Sequence, residues 1–226
     1  MFTGIIQAVG TIAELQRQGS DCTLVVNSGQ LDLSTTRIGD SIAVNGVCLT
    51  VTTLGGNRFT ADASNETLAH SSLGMLRAGS LVNLEKALTL TTPLGGHLVS
   101  GHVDDLGEII ARQDDGRSVR FSVRVPAQLS RYIAAKGSIT IDGISLTVNS
   151  IENDTFSVNI IPQTIQETTL RQARIGQHVN IEVDLIARYL ERLILNTEPD
   201  SPSNHSGLTL ETLAQSGFLS TTATKR

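Results

Sequence analysis

Two near-copies of one short phrase, "NGVCLTV" at 45–51 and "DGISLTV" at 142–148, put a sulfur, Cys48, where the second copy has an oxygen, Ser145. The two atoms offer different chemistry, because a thiolate forms more easily than an alkoxide and attacks electrophilic carbon more readily. An Asn-Gly turn followed by an inward cysteine is also an ordinary way to build a hairpin, so Cys48 reads either as a reactive thiol or as a packing residue. The same comparison sets Ile5 against His102 and Gly39 against Lys136. Lys136, directly before Gly137, reads either as a solvated helix end or as a ligand contact. His97 and His102 stand five apart, which in a strand sends them to opposite faces; no shared metal site is expected, and His97 reads as a linker residue. Cys22 and Cys48 form no CxxC pair and lie far apart, so each is expected to be a free thiol.

The phrase repeats because the chain repeats. A constant offset of 97 residues, without a gap, also pairs Gly4 with Gly101, Gly10 with Gly107, Gly79 with Gly176, Phe59 with Phe156, Thr67 with Thr164 and Leu73 with Leu170. "VNLE" at 82–85 likewise meets "VNIE" at 179–182. Glycines recur where the backbone needs positive φ or close approach, so a shared glycine frame implies a shared backbone path. The period is too long for a solenoid unit and fits a duplicated small domain.

Within each copy the hydrophobic pattern has period two. "SIAVNGVCLTV" and "SITIDGISLTV" read as hairpins about Asn45-Gly46 and Asp142-Gly143, and "CTLVV", "RFTAD", "LVNLE", "VRFSVRV", "TFSVNII" and "HVNIEV" read as further short strands. About six antiparallel strands per copy are too few to bury both faces of an open sheet, so each copy should close into a barrel of Greek-key type. Short helical stretches such as "AQLSRYIAAKG" are expected to cap the barrel ends. After the second copy "DLIARYLERLIL" carries Leu185, Ile186, Tyr189, Leu190, Leu193 and Ile194 at helical spacing, with Asp184 able to cap it. The expected class is therefore mainly β: two tandem homologous six-stranded barrels plus a C-terminal α-helix. The divisions are 1–97 (linker from about 88, with Pro93, Gly95 and Gly96), 98–184, a helix at 185–196, and a tail at 197–226 in which "LTLETLAQSGF" could form one more short helix. The helix has no repeat partner, and its apolar stripe points to assembly with other chains.

Composition excludes some classes of partner. A net charge of -5, no Trp and 3% aromatic residues argue against nucleic acid, which wants a basic surface and stacking rings. No apolar run approaches the roughly 20 residues of a membrane helix, and no basic leader precedes the first copy, so the cytoplasm is the expected compartment.

"MFTGI", "NGVCLTV", "GGHLVSGHVD", "IDGISLTV", "IIPQTIQETTL" and "VNIEVD", in that order and spacing, resemble the trimeric riboflavin synthase family over about residues 1–190. The resemblance implies a homotrimer that dismutates 6,7-dimethyl-8-ribityllumazine. Two molecules meet in each active site and a four-carbon unit moves between them, giving riboflavin and 5-amino-6-(ribitylamino)pyrimidinedione without a cofactor or a metal. A reaction between two identical molecules needs two similar pockets, and distinct donor and acceptor roles need those pockets to differ. Matching motif positions copy by copy implies one lumazine site at Gly4, Ile5, Ile6, Cys48, Leu49, Thr50, Asp62, Ala63, Ser64, Asn65, Glu66 and Thr67. It implies a second at Gly101, His102, Val103, Lys136, Ser145, Leu146, Thr147, Asn159, Ile160, Ile161, Pro162, Gln163 and Thr164. The reaction needs a base to take a proton from the acidic 7-methyl group. On family positions His102, helped by Thr147, is the candidate base, Cys48 the candidate nucleophile or water-positioning group, and Ser41 and Asp184 further catalytic candidates. The family also implies that the first barrel of one chain faces the second barrel of a neighbour. A non-catalytic lumazine or flavin carrier of the fluorescent antenna type is the alternative.

Overall fold

A computed structural model describes residues 1–18 and 21–195. The tail at 197–226, with its possible short helix, lies outside the described residues. In the first copy β1 (Ala8–Gln18), β2 (Asp21–Asn27), β3 (Ser41–Val44), β4 (Val47–Gly55), β5 (Arg58–Ala63) and β6 (Leu81–Lys86) close a barrel in the order β1-β2-β5-β4-β3-β6. In the second, β7 (Asp105–Asp115), β8 (Ser118–Arg124), β9 (Ser138–Ile141), β10 (Ile144–Glu152), β11 (Thr155–Ile160) and β12 (His178–Val183) close another with the same order of neighbours. Every strand of the first barrel recurs 97 residues on with identical bounds, and so do the short helices α1 (Asn65–His70) and α3 (Pro162–Glu167). Even the irregularities recur: β1 shifts register between Ile12 and Glu14, and β7 between Ile109 and Ala111. A shared glycine frame has produced a shared backbone.

Alternation builds both cores. Along β2, Cys22, Leu24 and Val26 turn inward, and Phe59, Leu84 and Ile12 join them; Phe121, Phe156, Ile109 and Ile181 fill the second barrel. The hairpin tips fold as the Asn-Gly and Asp-Gly dipeptides require, with φ of 47° and 80° at Asn45 and Gly46 and of 46° and 79° at Asp142 and Gly143. The two tips also touch each other. A Cβ on Gly46 would stand 2.7 Å from the Gly143 nitrogen, so glycine is needed there for barrel-to-barrel approach as well as for the turn.

Around these tips runs a buried amide network. Asn83 Nδ2 donates to Asp142 O (3.0 Å) while its Oδ1 accepts from Thr169 N; Asn180 Nδ2 donates to Asn45 O (2.7 Å) while its Oδ1 accepts from Ser72 N. Each tip side chain caps the neighbouring strand: Asn45 Oδ1 accepts from Asn83 N, and Asp142 Oδ1 from Asn180 N. The one chemical difference is the carboxyl of Asp142, which complete burial pushes up to about 7.

Between β8 and β9 the expected helical stretch is shorter than its sequence suggests. The helix α2 covers only Ala127–Ser130, and the chain then turns so that Lys136 takes a left-handed φ of 68°. Gly39 holds the matching place at 94°; Gly39 N donates to Val51 O and Lys136 N to Val148 O. Lys136 is thus not a helix end but a lysine in a position that favours glycine. The helix α4 (Leu185–Leu195) begins as expected, with Asp184 Oδ1 accepting from Ile186 N at 3.0 Å. No described helix is long and apolar enough to cross a membrane.

Candidate active site

The segment before each barrel crosses to the other barrel. Residues 1–6 and 98–103 form two straps that pair antiparallel at Phe2 and Val99, each donating its N–H to the other's carbonyl. Beyond that pair Gly101 O accepts from Cys48 N (2.8 Å) on β4, and Gly4 O accepts from Ser145 N (2.8 Å) on β10. Both glycines have positive φ and no room for a Cβ, which would lie 2.6 Å from the Cβ of Cys48 or of Ser145. Val103 then packs on the first barrel's core and Ile6 on the second's.

Residues of both copies therefore meet on each barrel. On the first barrel Cys48, Glu66, Thr67 and His70 meet Gly101, His102, Val103 and Asp104 around a cleft of about 400 Å³. Asp104 is held on its rim by Val183 N and by an ion pair with Arg188 of α4; burial raises its carboxyl and the guanidinium opposes that shift. On the second barrel Gly4 lies at Ser145, with Ile5 next to it in the strap. The copy-by-copy grouping expected above is corrected in this respect: Gly101, His102 and Val103 belong in space with Cys48, and Gly4, Ile5 and Ile6 with Ser145, because the straps bond across.

On the second barrel a group that spacing assigns to a linker lies against Ser145. His97 Nδ1 lies 2.7 Å from Ser145 Oγ, and His97 N donates to Thr3 O. Burial depresses the imidazole pKa, and the charge of Asp184 partly offsets that. Ser145, His97 and Asp184 are thus linked, the first two by a hydrogen bond and the last by its charge alone. The equivalents of the outer two in the first copy are Cys48 and Ala87.

The lumazine binding domain model matches the chain at residues 3–87 and again at 100–184. The riboflavin synthase of Photobacterium phosphoreum is 47% identical over 97% of this chain and 100% of its own length, and that of Bacillus subtilis (strain 168) is 39% identical over 96% and 100%. The chain belongs to the riboflavin synthase family. In fold it also resembles LumP complexed with riboflavin (TM-score 0.75, 24% identity, covering 81% of this chain and 99% of that one).

The positions supplied by the riboflavin synthase resemblance divide by strand alternation. Thr50 and Thr147 are exposed on the same face as Cys48 and Ser145, but Leu49 is 3% exposed in the first core, and Ala63 and Ile160 are each 1% exposed. These three side chains face inward and pack in the cores, which leaves their backbone groups as the part a ligand could meet. Leu146 packs partly on the second core. Asp62, Ala63 and Ser64 border a separate cleft with Cys22 and Thr23; Thr23 Oγ1 donates to Asp62 Oδ1, and Ser64 caps α1. Asn65, Glu66 and Thr67 form the first turn of α1, and Pro162, Gln163 and Thr164 that of α3, following Asn159 at the end of β11 and Ile161, which is exposed. Ser41 lines a third cleft, of about 340 Å³, with Thr35, Thr36, Lys86 and Thr89. His97 was the residue missed. The signal that could have found it is the pair Gly95-Gly96 directly before it: a Cβ on Gly96 would stand 2.1 Å from Thr3 O, so this "linker" is held tightly against the strap.

Proposed function

We infer that both clefts are lumazine sites and that their differences divide the chemistry. The chain is a riboflavin synthase, a transferase that dismutates two molecules of 6,7-dimethyl-8-ribityllumazine into riboflavin and 5-amino-6-(ribitylamino)pyrimidinedione. The observation that carries the division of labour is the 2.7 Å approach of His97 Nδ1 to Ser145 Oγ. Kept neutral by burial, and with Nδ1 unprotonated, His97 accepts the Ser145 hydroxyl proton as Ser145 Oγ takes one from the 7-methyl group of a lumazine lying over β10. The methyl carbon is left as a carbanion stabilised by the heterocycle, and Asp184 stabilises the imidazolium that forms. The cleft on the first barrel, with Cys48 and the exposed His102, holds the partner molecule and presents a nucleophile to it. Thr147 shares the outer face of β10 with Ser145, and Lys136 N donates to Val148 O on the same strand. Lys136 accepts a left-handed backbone on the order of 1 kcal/mol less favourable than glycine's, which suits a side chain retained for contact with ligand.

Two bound lumazines must face each other, and the apolar stripe of α4 supplies the means. Ile186, Tyr189 and Leu190 are 60%, 64% and 53% exposed, more large apolar surface than a lone chain keeps in water. Three chains gathered through α4 would set the first barrel of one against the second barrel of the next, with 1–97 and 98–184 as the two lumazine-binding domains. Cys22 and Cys48 are unpaired, which suits the reducing cytoplasm. The alternative is a lumazine or flavin carrier; LumP favours it in fold, but a pure binder has no use for the Ser145–His97–Asp184 series.

The test follows 7-methyl deuterium exchange of the lumazine by proton NMR. The wild-type chain should accelerate exchange, and His97→Ala and Ser145→Ala should remove the acceleration while Cys48→Ser keeps it. Exchange lost in Cys48→Ser but kept in His97→Ala would move proton transfer to the first barrel.

A further inference from the structure

Two buried glutamates remain outside this chemistry. Glu85 on β6 and Glu182 on β12 share the repeat position and are 3% and 4% exposed. A carboxylate buried so far is tolerated where strong donors replace its water. Glu182 Oε1 accepts from Ser100 N (2.6 Å) and Ser100 Oγ (2.8 Å), and its Oε2 from Gly101 N (3.0 Å). Glu85 repeats the pattern on Thr3 N, Thr3 Oγ1 and Gly4 N at 2.7, 2.7 and 3.0 Å. Each carboxylate is a fork that fixes two successive residues of its own strap.

What the strap does happens on the other barrel. From the fork on Glu182 the chain proceeds to Gly101 O at Cys48 N, to His102, whose N–H donates to Ser100 Oγ at 3.1 Å, and to Val103 in the first barrel's core. The strap cannot slide, because Gly101 already fits against Cys48 with no space for one more carbon. We propose that Glu182 is the positioning residue of the first-barrel cleft and Glu85 that of the second-barrel cleft, each holding the strap that completes the site on the opposite barrel. The mechanical claim stands on the hydrogen bonds; its meaning for catalysis rests on the clefts being lumazine sites. The consequence is reciprocal: a change inside the second barrel loosens the site that carries Cys48, and a change inside the first loosens the site that carries Ser145.

Glutamine is the informative replacement, since it keeps the length but offers one acceptor and turns an amide N–H toward a backbone N–H. Cys48 is a built-in reporter because it lines the first cleft while Cys22 is 1% exposed. In the full chain the alkylation of Cys48 by iodoacetamide, read by peptide mass, should be about tenfold faster in Glu182→Gln and unchanged in Glu85→Gln. Ser100→Ala, which removes one donor to Glu182 and the acceptor of the His102 N–H while leaving the barrel untouched, should move the rate in the same direction and serves if Glu182→Gln does not fold. Added dimethylribityllumazine should protect Cys48 in the wild type and in Glu85→Gln and fail to do so in Glu182→Gln. Rates equal in wild type, Glu182→Gln and Ser100→Ala, or raised alike by both glutamine variants, would overturn the crossed assignment. Lumazine that does not protect Cys48 even in the wild type would sink the reading of the cleft as a lumazine site, while the alkylation rates would still decide the clamp.

Discussion

Cys48 and Ser145 occupy the same step of the same strand in two barrels of the same order, each under a strap glycine from the other copy. Their surroundings are not the same. Beside Ser145 stand His97 and, acting on it, Asp184; beside Cys48 stand His102, exposed, and Ala87, which packs with Phe2, Val99 and Ala43. The backbone was duplicated and kept, and the side chains that face the straps are among those that diverged. For a reaction whose two substrates are the same molecule, this is how donor and acceptor can be told apart: equal shape for binding, unequal chemistry for turnover.

The largest test of that inequality is His97→Ala. General acid–base groups contribute about 10²–10⁴-fold, so kcat should fall by that order while lumazine binding at the first barrel is kept. A fall of less than about threefold would return His97 to the linker. The wild-type pH profile sharpens the point. Burial lowers the His97 pKa below its ordinary 6.5, so the neutral base persists as pH falls through neutrality and kcat should decline only below that value. The second difference between the copies is α4. Charging its stripe with Tyr189→Asp and Leu190→Asp leaves Asp184 and both barrels intact, and should make activity fall steeply on dilution together with the sedimenting mass. A monomer fully active at every dilution would show that the two sites meet within one chain.

Cys48→Ser makes the first barrel copy the second at this atom. Turnover should drop about tenfold or more, since an alkoxide without its own imidazole–carboxylate series is harder to form than a thiolate, and binding should persist. Unchanged turnover would reduce Cys48 to a lining residue.

The duplication, both barrels, the hairpin tips and the helix could all be read from glycine spacing and from periods of two and 3.6. Those signals are local, and they report the backbone path. β1 and β7 are not legible from periodicity, because "AVGTIAELQRQ" and "DLGEIIARQDD" alternate weakly and end in polar residues. The six-residue helices α1 and α3 were also hidden, being too short to set a period. The candidate site was half legible. Strand alternation alone turns Leu49 inward, but the crossing of the straps depends on contacts between residues far apart in sequence, such as Cys48 N with Gly101 O and Ser145 N with Gly4 O. No pattern within one copy distinguishes a strap that returns to its own barrel from one that crosses.

The change expected to affect turnover least tests the barrel junction, where the copies differ by one atom type. Asn45 and Asp142 each hold a left-handed turn and accept from the N–H of Asn83 or Asn180, so the amide does the same structural task as the carboxyl. The carboxyl differs in titrating: burial raises it from 3.8 to about 7. Between those values the folded chain holds a proton that the unfolded chain has released, so stability falls as pH rises through the window, and the loss is complete above about 7. Asp142→Asn removes the titrating group. The variant should match the wild type near about pH 4, stay level where the wild type declines, and be more stable at about pH 8 by something on the order of a few kcal/mol. Melting temperatures of the two proteins across that range measure it, with Asn45→Asp as the converse, importing the same slope into the first barrel. A wild type that is flat with pH, or an Asp142→Asn protein less stable at the alkaline end, would mean that the carboxylate is better satisfied at the junction than its neutral twin, and that the two barrels meet less symmetrically than their amide network suggests.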